Sequence, residues 1–302
     1  MRRIVITGAT SFIGLHLLHE WLKEECEIFA VVRKNCQKLH LLPQDEKLHT
    51  IALNMEEYDQ LPDYIEKADD FYHLAWEGTR GSARNDIDLQ QHNYVCTLKA
   101  FHAAKQLGCS FFLGSGSQAE YGKMSESIHE ESPCHPLTEY GKQKLRICQE
   151  LQTLAKENSI RFIWTRIFSL YGVGDSPQTL VSSCIEKMSK NEAIFLTECS
   201  QIWDFLYVSD AVQAMKQFAL MPCASGVYNL ASGDIRPLRE YICEMKEILS
   251  SSSELNFGAV PYSPEGVVNL VPDIHKLLQT GWKPQTSFRD GIMKICHQSA
   301  IS

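Results

Sequence analysis

Short apolar runs alternate with stretches of helical periodicity through the first half of the chain. Ile4, Val5 and Ile6 form a β-branched run; a Gly/Thr/Ser turn follows, and then Ile13, Leu17 and Trp21, with Leu18 and Leu22 beside them, recur at helical spacing. Further strand-like runs lie at 28–32, 49–53, 70–75 and 111–114. Between the last two the pattern predicts a long helix over about 87–107, with Leu89, Val95, Leu98, Ala103 and Leu107 on or near one face. A second long helix is predicted at 139–157, leading into a strand at 161–165. Strands that alternate with helices of this length pair in parallel, because each crossover helix carries the chain back to the same end of the sheet and covers one face. The expected fold class is therefore α/β, a doubly wound parallel sheet.

After Gly172 the elements shorten, prolines become frequent and a serine run at 250–253 marks a loop, so a smaller C-terminal α/β domain is expected there. The 302 residues carry 29 Lys and Arg against 37 Asp and Glu, a formal net charge of −8, and no basic block exceeds the pair Arg2-Arg3. Such a surface lacks the footprint of a nucleic-acid binder. No apolar run approaches the ~18 residues a membrane span requires, and polar residues at 7–11 interrupt the apolar start too early for a secretion signal. Eleven cysteines, an odd number with no CxxC pair, fit neither a disulfide framework nor a zinc site. They read as small hydrophobes in a reducing compartment, and a cytoplasmic protein without a metal is expected.

Residues 7–14, TGATSFIG, fall between a predicted strand and a predicted helix. Glycines there permit a tight turn and let backbone N–H groups meet a pyrophosphate at the positive end of the helix. Gly8, Thr10, Ser11, Phe12, Ile13 and Gly14 are thus candidates for a dinucleotide cradle, with Ser11 where a middle glycine is usual. An acidic residue at the end of the second strand would select NAD, whereas here Arg33 and Lys34 follow Val32, two cations suited to the 2′-phosphate of NADP. Tyr140 and Lys144 stand four apart on the predicted helix 139–157, hence on one face. A neighbouring ammonium is expected to draw the phenol pKa down from about 10. Ser117, at the end of the glycine-containing stretch GSGS, offers a hydroxyl to the same place. His73 reads as a satisfied strand histidine.

These residues resemble the extended short-chain dehydrogenase/reductases that act on nucleotide sugars, the NAD-dependent epimerase/dehydratase group, over nearly the whole chain. The family's glycine motif matches Gly8 to Gly14; its strand ending HLAA matches His73, Leu74, Ala75 and Trp76; its helix Asn matches Asn93. Its S-x-x-x-YG segment matches Ser117 with Tyr121 and Gly122, and its catalytic Tyr and Lys match Tyr140 and Lys144. R-x-x-N-x-YG-x-G, RDF-x-x-V-x-D and YN-x-x-SG follow at 166–174, 203–210 and 228–233. The segments GSGSQAEYG, YGKQK, WDFLYV and FGAVPY resemble those of reductases and epimerases of 4-keto-6-deoxyhexoses.

The resemblance implies a Rossmann domain binding NADP(H), with NAD(H) as the other option, over 1–168 plus a returning segment of about 203–231. It implies a substrate domain over 169–202 and 232–302. Leu74, Ala75, Trp76, Asn54, Asn93, Tyr140 and Lys144, the last holding the ribose, would join the cofactor site, and Thr79, Arg80, Ser117, Gln118, Ser169, Trp203 and Arg236 the substrate site. Three positions depart from the family: Ser169 replaces Asn, Trp203 replaces Arg and Ser263 replaces Arg. Each removes a phosphate ligand, so either Arg236, Arg80 or Lys187 would supply the charge, or the substrate is not a standard nucleotide sugar. The expected activity is reduction of the 4-keto group of a nucleotide-linked 6-deoxyhexose, with Ser117, Tyr140 and Lys144 catalytic. A 4-epimerase retaining its cofactor and an idle NADP-binding scaffold are the alternatives, and a homodimer through the two long helices is the expected assembly.

Overall fold

The N-terminal β-branched run lies in the middle of a seven-stranded sheet. A computed structural model describes residues 1–124, 126–262 and 268–299. Strands β1 (Arg2–Thr7), β2 (Cys26–Val32), β3 (Leu48–Ala52), β4 (Asp70–His73), β5 (Phe111–Ser117), β6 (Arg161–Ile167) and β7 (Gly226–Leu230) are arranged in the order β7-β6-β5-β4-β1-β2-β3. The pairs β1–β2, β2–β3, β1–β4, β4–β5 and β5–β6 are parallel. The chain builds outward from β1 first to one side and then to the other, so the doubly wound α/β expectation holds and a switch point lies beside the end of β1.

Helices α1 (Phe12–Trp21), α2 (Ile87–Gln106) and α3 (Glu139–Glu157) each start at a side-chain cap. Ser11, Asp86 and Thr138 accept hydrogen bonds from the backbone N–H groups of Gly14, Leu89 and Gly141. Aromatic residues in register tie the sheet's centre together: Phe71, Phe112 and Phe162 sit opposite one another on β4, β5 and β6, with ring centroids 5.5 and 6.3 Å apart. Stacking of this kind adds about 0.5–1.5 kcal/mol per pair to the burial itself.

Two expectations from the sequence need correction. The strand expected at 111–114 runs on to Ser117. Gly114 and Gly116 do not break it, because the indole of Trp164 on β6 lies across them: a Cβ at Gly116 would sit 2.2 Å from Trp164 Nε1 and one at Gly114 2.4 Å from its ring. The buried face of α2 is the expected one only in part: Ala103 and Leu107 are buried and Leu98 packs against the core. Val95 is exposed, and the inward residues include Gln90, Asn93, Tyr94, Thr97, Ala100 and Phe101. Gln90, Asn93 and Thr97, whose side chains bond to neighbouring elements, share that buried face with its apolar residues.

The chain divides into two compact units, 1–122 with 131–167 and 212–229, and 123–130 with 168–211 and 230–302. The second unit has short strand pairs and an aromatic core of Tyr171, Phe205, Tyr241 and Phe288. Residues 203–211 group with it rather than with the sheet, because Phe205–Tyr207 pairs in parallel with Ser169–Tyr171 and delivers Phe205 to that core. Residues 123–130 join it through the bonds that Ile128 makes with Val271 and Asp273.

Because Trp164 is rigid and buried, Gly116→Ala should destabilise the protein by about 1–3 kcal/mol. Urea unfolding followed by tryptophan fluorescence reads this; an unchanged midpoint would mean that the indole has room to move.

Candidate active site

The turn after β1 is shaped by what it leaves out. Gly8 has φ +69°, and a Cβ there would lie 2.8 Å from the Ala75 nitrogen; a Cβ at Gly14 would lie 2.3 Å from the Gly8 carbonyl oxygen. Any side chain would push β1, α1 and the end of β4 apart. Ser11 Oγ accepts from Gly14 N at 3.1 Å, which leaves its own O–H to donate elsewhere. Phe12 and Ile13 open α1, whose first turn contains no acidic residue, so its positive end is unopposed. Beside it is a cavity of about 780 Å³, lined by Gly8, Thr10, Ser11, Arg33, Asn54, Leu74, Ala75 and Trp76 among others. Its volume falls in the usual range for cofactor sites, and a bare glycine edge facing a helix N-terminus fits a dinucleotide pyrophosphate.

At the cavity's edge the two cations already have partners. Arg33 Nη1 is 3.3 Å from Glu77 Oε1, and Lys34 Nζ is paired with Glu57, all at solvent-accessible positions. Such pairs are worth little in water and exchange readily for a stronger anion. The Asn54 carboxamide oxygen accepts from Lys34 N at 3.3 Å and is thus partly engaged, while the Asn54 backbone N–H donates to Glu57 at 3.0 Å. Asn93 does not line the cavity; it bonds the N–H and the C=O of Glu77, each at 2.9 Å, and pins the turn that carries Trp76. His73 is bonded at Nδ1 to Thr7 and at Nε2 to Thr97, at 2.8 and 3.0 Å. Burial holds its pKa down at about 3, so it is a neutral structural residue, as expected.

Ser117, Tyr140 and Lys144 come together at the end of β5. The buried Tyr140 phenol stands in the first turn of α3, where the Ser117 side chain is near enough to favour its ionised form, and Ser117 Oγ accepts from Ala119 N at 3.2 Å. One turn on, Lys144 Nζ donates to the Ser115 carbonyl and lies 3.7 Å from the Trp76 ring centroid. Lys144 is 5.9 Å from the centre of the Tyr140 ring. The expectation that this lysine draws the phenol pKa down is not met. Burial pushes Tyr140 above its ordinary value, with the nearby Ser117 side chain and the Arg84 charge opposing and Glu120 reinforcing the rise. Burial also pulls Lys144 down to about 7, which weakens it as a source of charge.

Glu120 was not singled out in the sequence. It is fully buried; Oε1 accepts from Ser117 N at 2.8 Å and Trp164 Nε1 at 2.9 Å, and Oε2 from Arg166 Nε at 2.7 Å. Only its position three residues after Ser117, as a capping box, gives a sequence signal. Arg84 was also missed, because nothing in its local sequence marks it.

The expected substrate residues are divided between the units. Thr79 and Arg80 lie exposed in the loop before the 3-10 segment Gly81–Asn85, and Gln118 follows Ser117 directly; all three belong to the first unit. Ser169, Trp203 and Arg236 belong to the second. Arg236 stands opposite Trp203 across two short strands and pairs with Asp234 at 3.0 Å and Glu244 at 2.9 Å. A phosphate at Arg236 would have to compete with these two carboxylates. Trp203 is half-buried, and its Nε1 has no hydrogen-bond partner among the described residues. Lys187 lies half-buried on the helix Leu180–Ser189, and Ser263 lies outside the described residues. Among the described residues no cluster of His, Cys, Asp and Glu could hold a metal ion, and no helix is long and apolar enough to cross a membrane.

A glycine cradle, a Ser–Tyr pair and a lysine one turn beyond recur in enzymes that move hydride. Residues 4–231 match the model of the NAD dependent epimerase/dehydratase family. The chain belongs to this family. The family's curated members include the CDP-abequose synthase of Salmonella muenchen, 25% identical over 305 residues that span 97% of both chains. Another is the dTDP-4-dehydro-6-deoxyglucose reductase of Escherichia coli, 24% identical, covering 97% of this chain and 96% of that protein. Among solved structures, the UDP-glucose 4-epimerase of Thermus thermophilus in complex with NAD superposes with a TM-score of 0.87 at 20% identity, covering 99% of this chain and 100% of that one. Family membership makes this chain an enzyme and places it among the nucleotide-sugar epimerases, dehydratases and reductases.

The Lys144 pKa gives a stability prediction. Its folded value, about 7, lies below the ordinary value of 10.5. Below pH 7 both states keep the proton and the folded state bears the full cost of a buried charge. Between 7 and 10.5 the unfolded state binds more protons, so that cost shrinks as pH rises. Lys144→Met should therefore raise stability most below pH 7 and progressively less toward pH 10, as read by urea unfolding at several pH values. A gain independent of pH would mean that packing, not charge, is responsible.

Proposed function

We propose that the protein is an NADP(H)-dependent reductase of the 4-keto group of a nucleotide-linked 6-deoxyhexose. The observation that carries this reading is the Tyr140 phenol, buried beside Ser117 and Lys144 at the end of β5 and held above its ordinary pKa by that burial. A tyrosine kept protonated at neutral pH is ready to act as an acid, which net reduction of a carbonyl requires. The likeness to a dTDP-4-dehydro-6-deoxyglucose reductase supports the same direction.

When bound, the nicotinamide dinucleotide supplies hydride. The turn from Gly8 to Gly14 and the N-terminus of α1 hold its pyrophosphate. Arg33 and Lys34 exchange Glu77 and Glu57 for the 2′-phosphate, a change that surface ion pairs permit at small cost. Leu74, Ala75 and Trp76 form the adjoining wall. Ser117 donates to the substrate carbonyl oxygen and polarises it. Tyr140 gives that oxygen its proton, and Lys144, one turn on along the same helix, would hold the nicotinamide ribose. Thr79, Arg80 and Gln118, all of the first unit, contact the nucleotide sugar. A homodimer through α2 and α3 belongs to this reading; Ile87 and Val95 stay exposed on α2.

One observation favours a second reading, a 4-epimerase retaining NAD. Glu77 and Glu57 already neutralise the two cations that the 2′-phosphate would need. The test is to supply a 4-keto-6-deoxyhexose nucleotide with NADPH or NADH and follow nicotinamide absorbance. Oxidation in step with product is expected, with NADPH preferred; Arg33→Ala should erase about 1.5–3 kcal/mol of that preference, the worth of a charged hydrogen bond. Tyr140→Phe should lower kcat on the order of 100-fold or more and leave NADPH affinity unchanged. Tightly bound NAD in the purified protein, with two sugars interconverted and no net absorbance change, would establish the epimerase instead.

A further inference from the structure

Arg84 lies in the 3-10 segment Gly81–Asn85, ahead of α2. Its guanidinium carbon is 5.1 Å from the centre of the Tyr140 ring, over the face. Among the described residues it forms no ion pair, and its Nε is buried without a hydrogen-bond partner. A half-buried guanidinium without a carboxylate is costly to keep, since desolvation is not repaid by an opposite charge.

The position is nonetheless firmly built. Gln90, fully buried on α2, donates to the carbonyls of Gly78 at 3.0 Å and Ala83 at 2.9 Å and accepts from Trp76 Nε1 at 2.8 Å. Asn85 Oδ1 accepts from the Glu139 backbone N–H at 3.2 Å, which ties the segment to the turn of α3 that presents Tyr140. Trp76 meets the Tyr140 ring edge to face, with centroids 6.0 Å apart. The phenol thus has Arg84 over one face and an indole beside it.

We propose that Arg84 is the electrostatic partner of Tyr140, its guanidinium stabilising the phenolate that remains once the tyrosine has given its proton to the substrate oxygen. In that step the phenol O–H bond breaks and an O–H bond forms on the substrate oxygen. The electron pair of the broken bond stays on the phenol oxygen, and hydride arrives at the carbon from the nicotinamide. A cation over an aromatic face favours the anionic ring, and an opposite charge at this range lowers an acid's pKa. The groups facing Tyr140 are Ser117 at the end of β5, Glu120 in the turn after it, Arg84, Trp76, and Lys144 on its own helix. Glu120 opposes ionisation of the phenol, and Lys144 is drawn toward neutrality by burial. Arg84 is the facing cation that stays charged, because a guanidinium does not lose its proton in proteins. It acts through Tyr140 and is a positioning residue. The proposal rests on Tyr140 as the proton donor.

Incorporating 3-fluorotyrosine at position 140 gives a fluorine NMR signal that reports ionisation of that ring alone, with no substrate needed. In full-length Arg84→Gln protein the titration midpoint should move to higher pH by about one unit relative to the Arg84 protein, and Arg84→Lys should recover part of the difference. With NADPH and a 4-keto-6-deoxyhexose nucleotide, Arg84→Gln should lower kcat about tenfold, shift the alkaline limb of its pH profile upward and leave the KM for NADPH unchanged. An unmoved fluorine titration overturns the Arg84 proposal and leaves the reductase reading standing. Full activity in Tyr140→Phe overturns the reading beneath it.

Discussion

A carboxylate cut off from water must be answered by the protein around it, and Glu120 is answered three times. Its oxygens take the Ser117 N–H, the Trp164 indole N–H and the Arg166 guanidinium, all at 2.7–2.9 Å. Removing one member of a buried ion pair typically costs about 3–5 kcal/mol, because the other is left uncompensated. The requirement to satisfy Glu120 therefore constrains the whole end of β5. It sets the Ser117 backbone, and it seats the Trp164 indole across Gly114 and Gly116. The same negative charge favours the protonated forms of both Lys144 and Tyr140. One buried group thereby both positions the Ser–Tyr pair and biases it toward acid chemistry.

The opposite wall depends on neutral polar groups. Gln90 and Asn93 project from the buried face of α2 and satisfy backbone groups of the loop after β4, at Glu77, Gly78 and Ala83. Irregular backbone packed against a helix needs such partners. These bonds fix Trp76 against Lys144 and Arg84 against Tyr140, so an ordinary loop becomes part of the site.

Local sequence was sufficient wherever local physics decides structure. The alternation of strands and helices and the glycine turn are determined within a few residues of each other, and α3 spans the limits its periodicity predicts. The reading failed where a distant residue decides. Gly114 and Gly116 look like a strand end until Trp164 is seen lying on them. The apolar pattern of α2 gives no sign that Gln90 and Asn93 are buried, because their partners lie elsewhere in the chain. The spacing of Tyr140 and Lys144 correctly put both on one face of a helix, but helical spacing carries no information about burial, and burial sets both pKa values. Arg236 appeared available because Asp234 and Glu244 are not recognisable as its partners in sequence.

The account turns on hydride reaching a sugar carbon while Tyr140 supplies the proton. The most direct measurement uses NADPH carrying deuterium at nicotinamide C4 on the transferred face, incubated with the protein and a 4-keto-6-deoxyhexose nucleotide, with the product sugar examined by mass spectrometry and NMR. The account predicts one deuterium at sugar C4 for each nicotinamide oxidised. A product sugar without deuterium, or a nicotinamide that stays reduced while the sugar changes configuration, would contradict it.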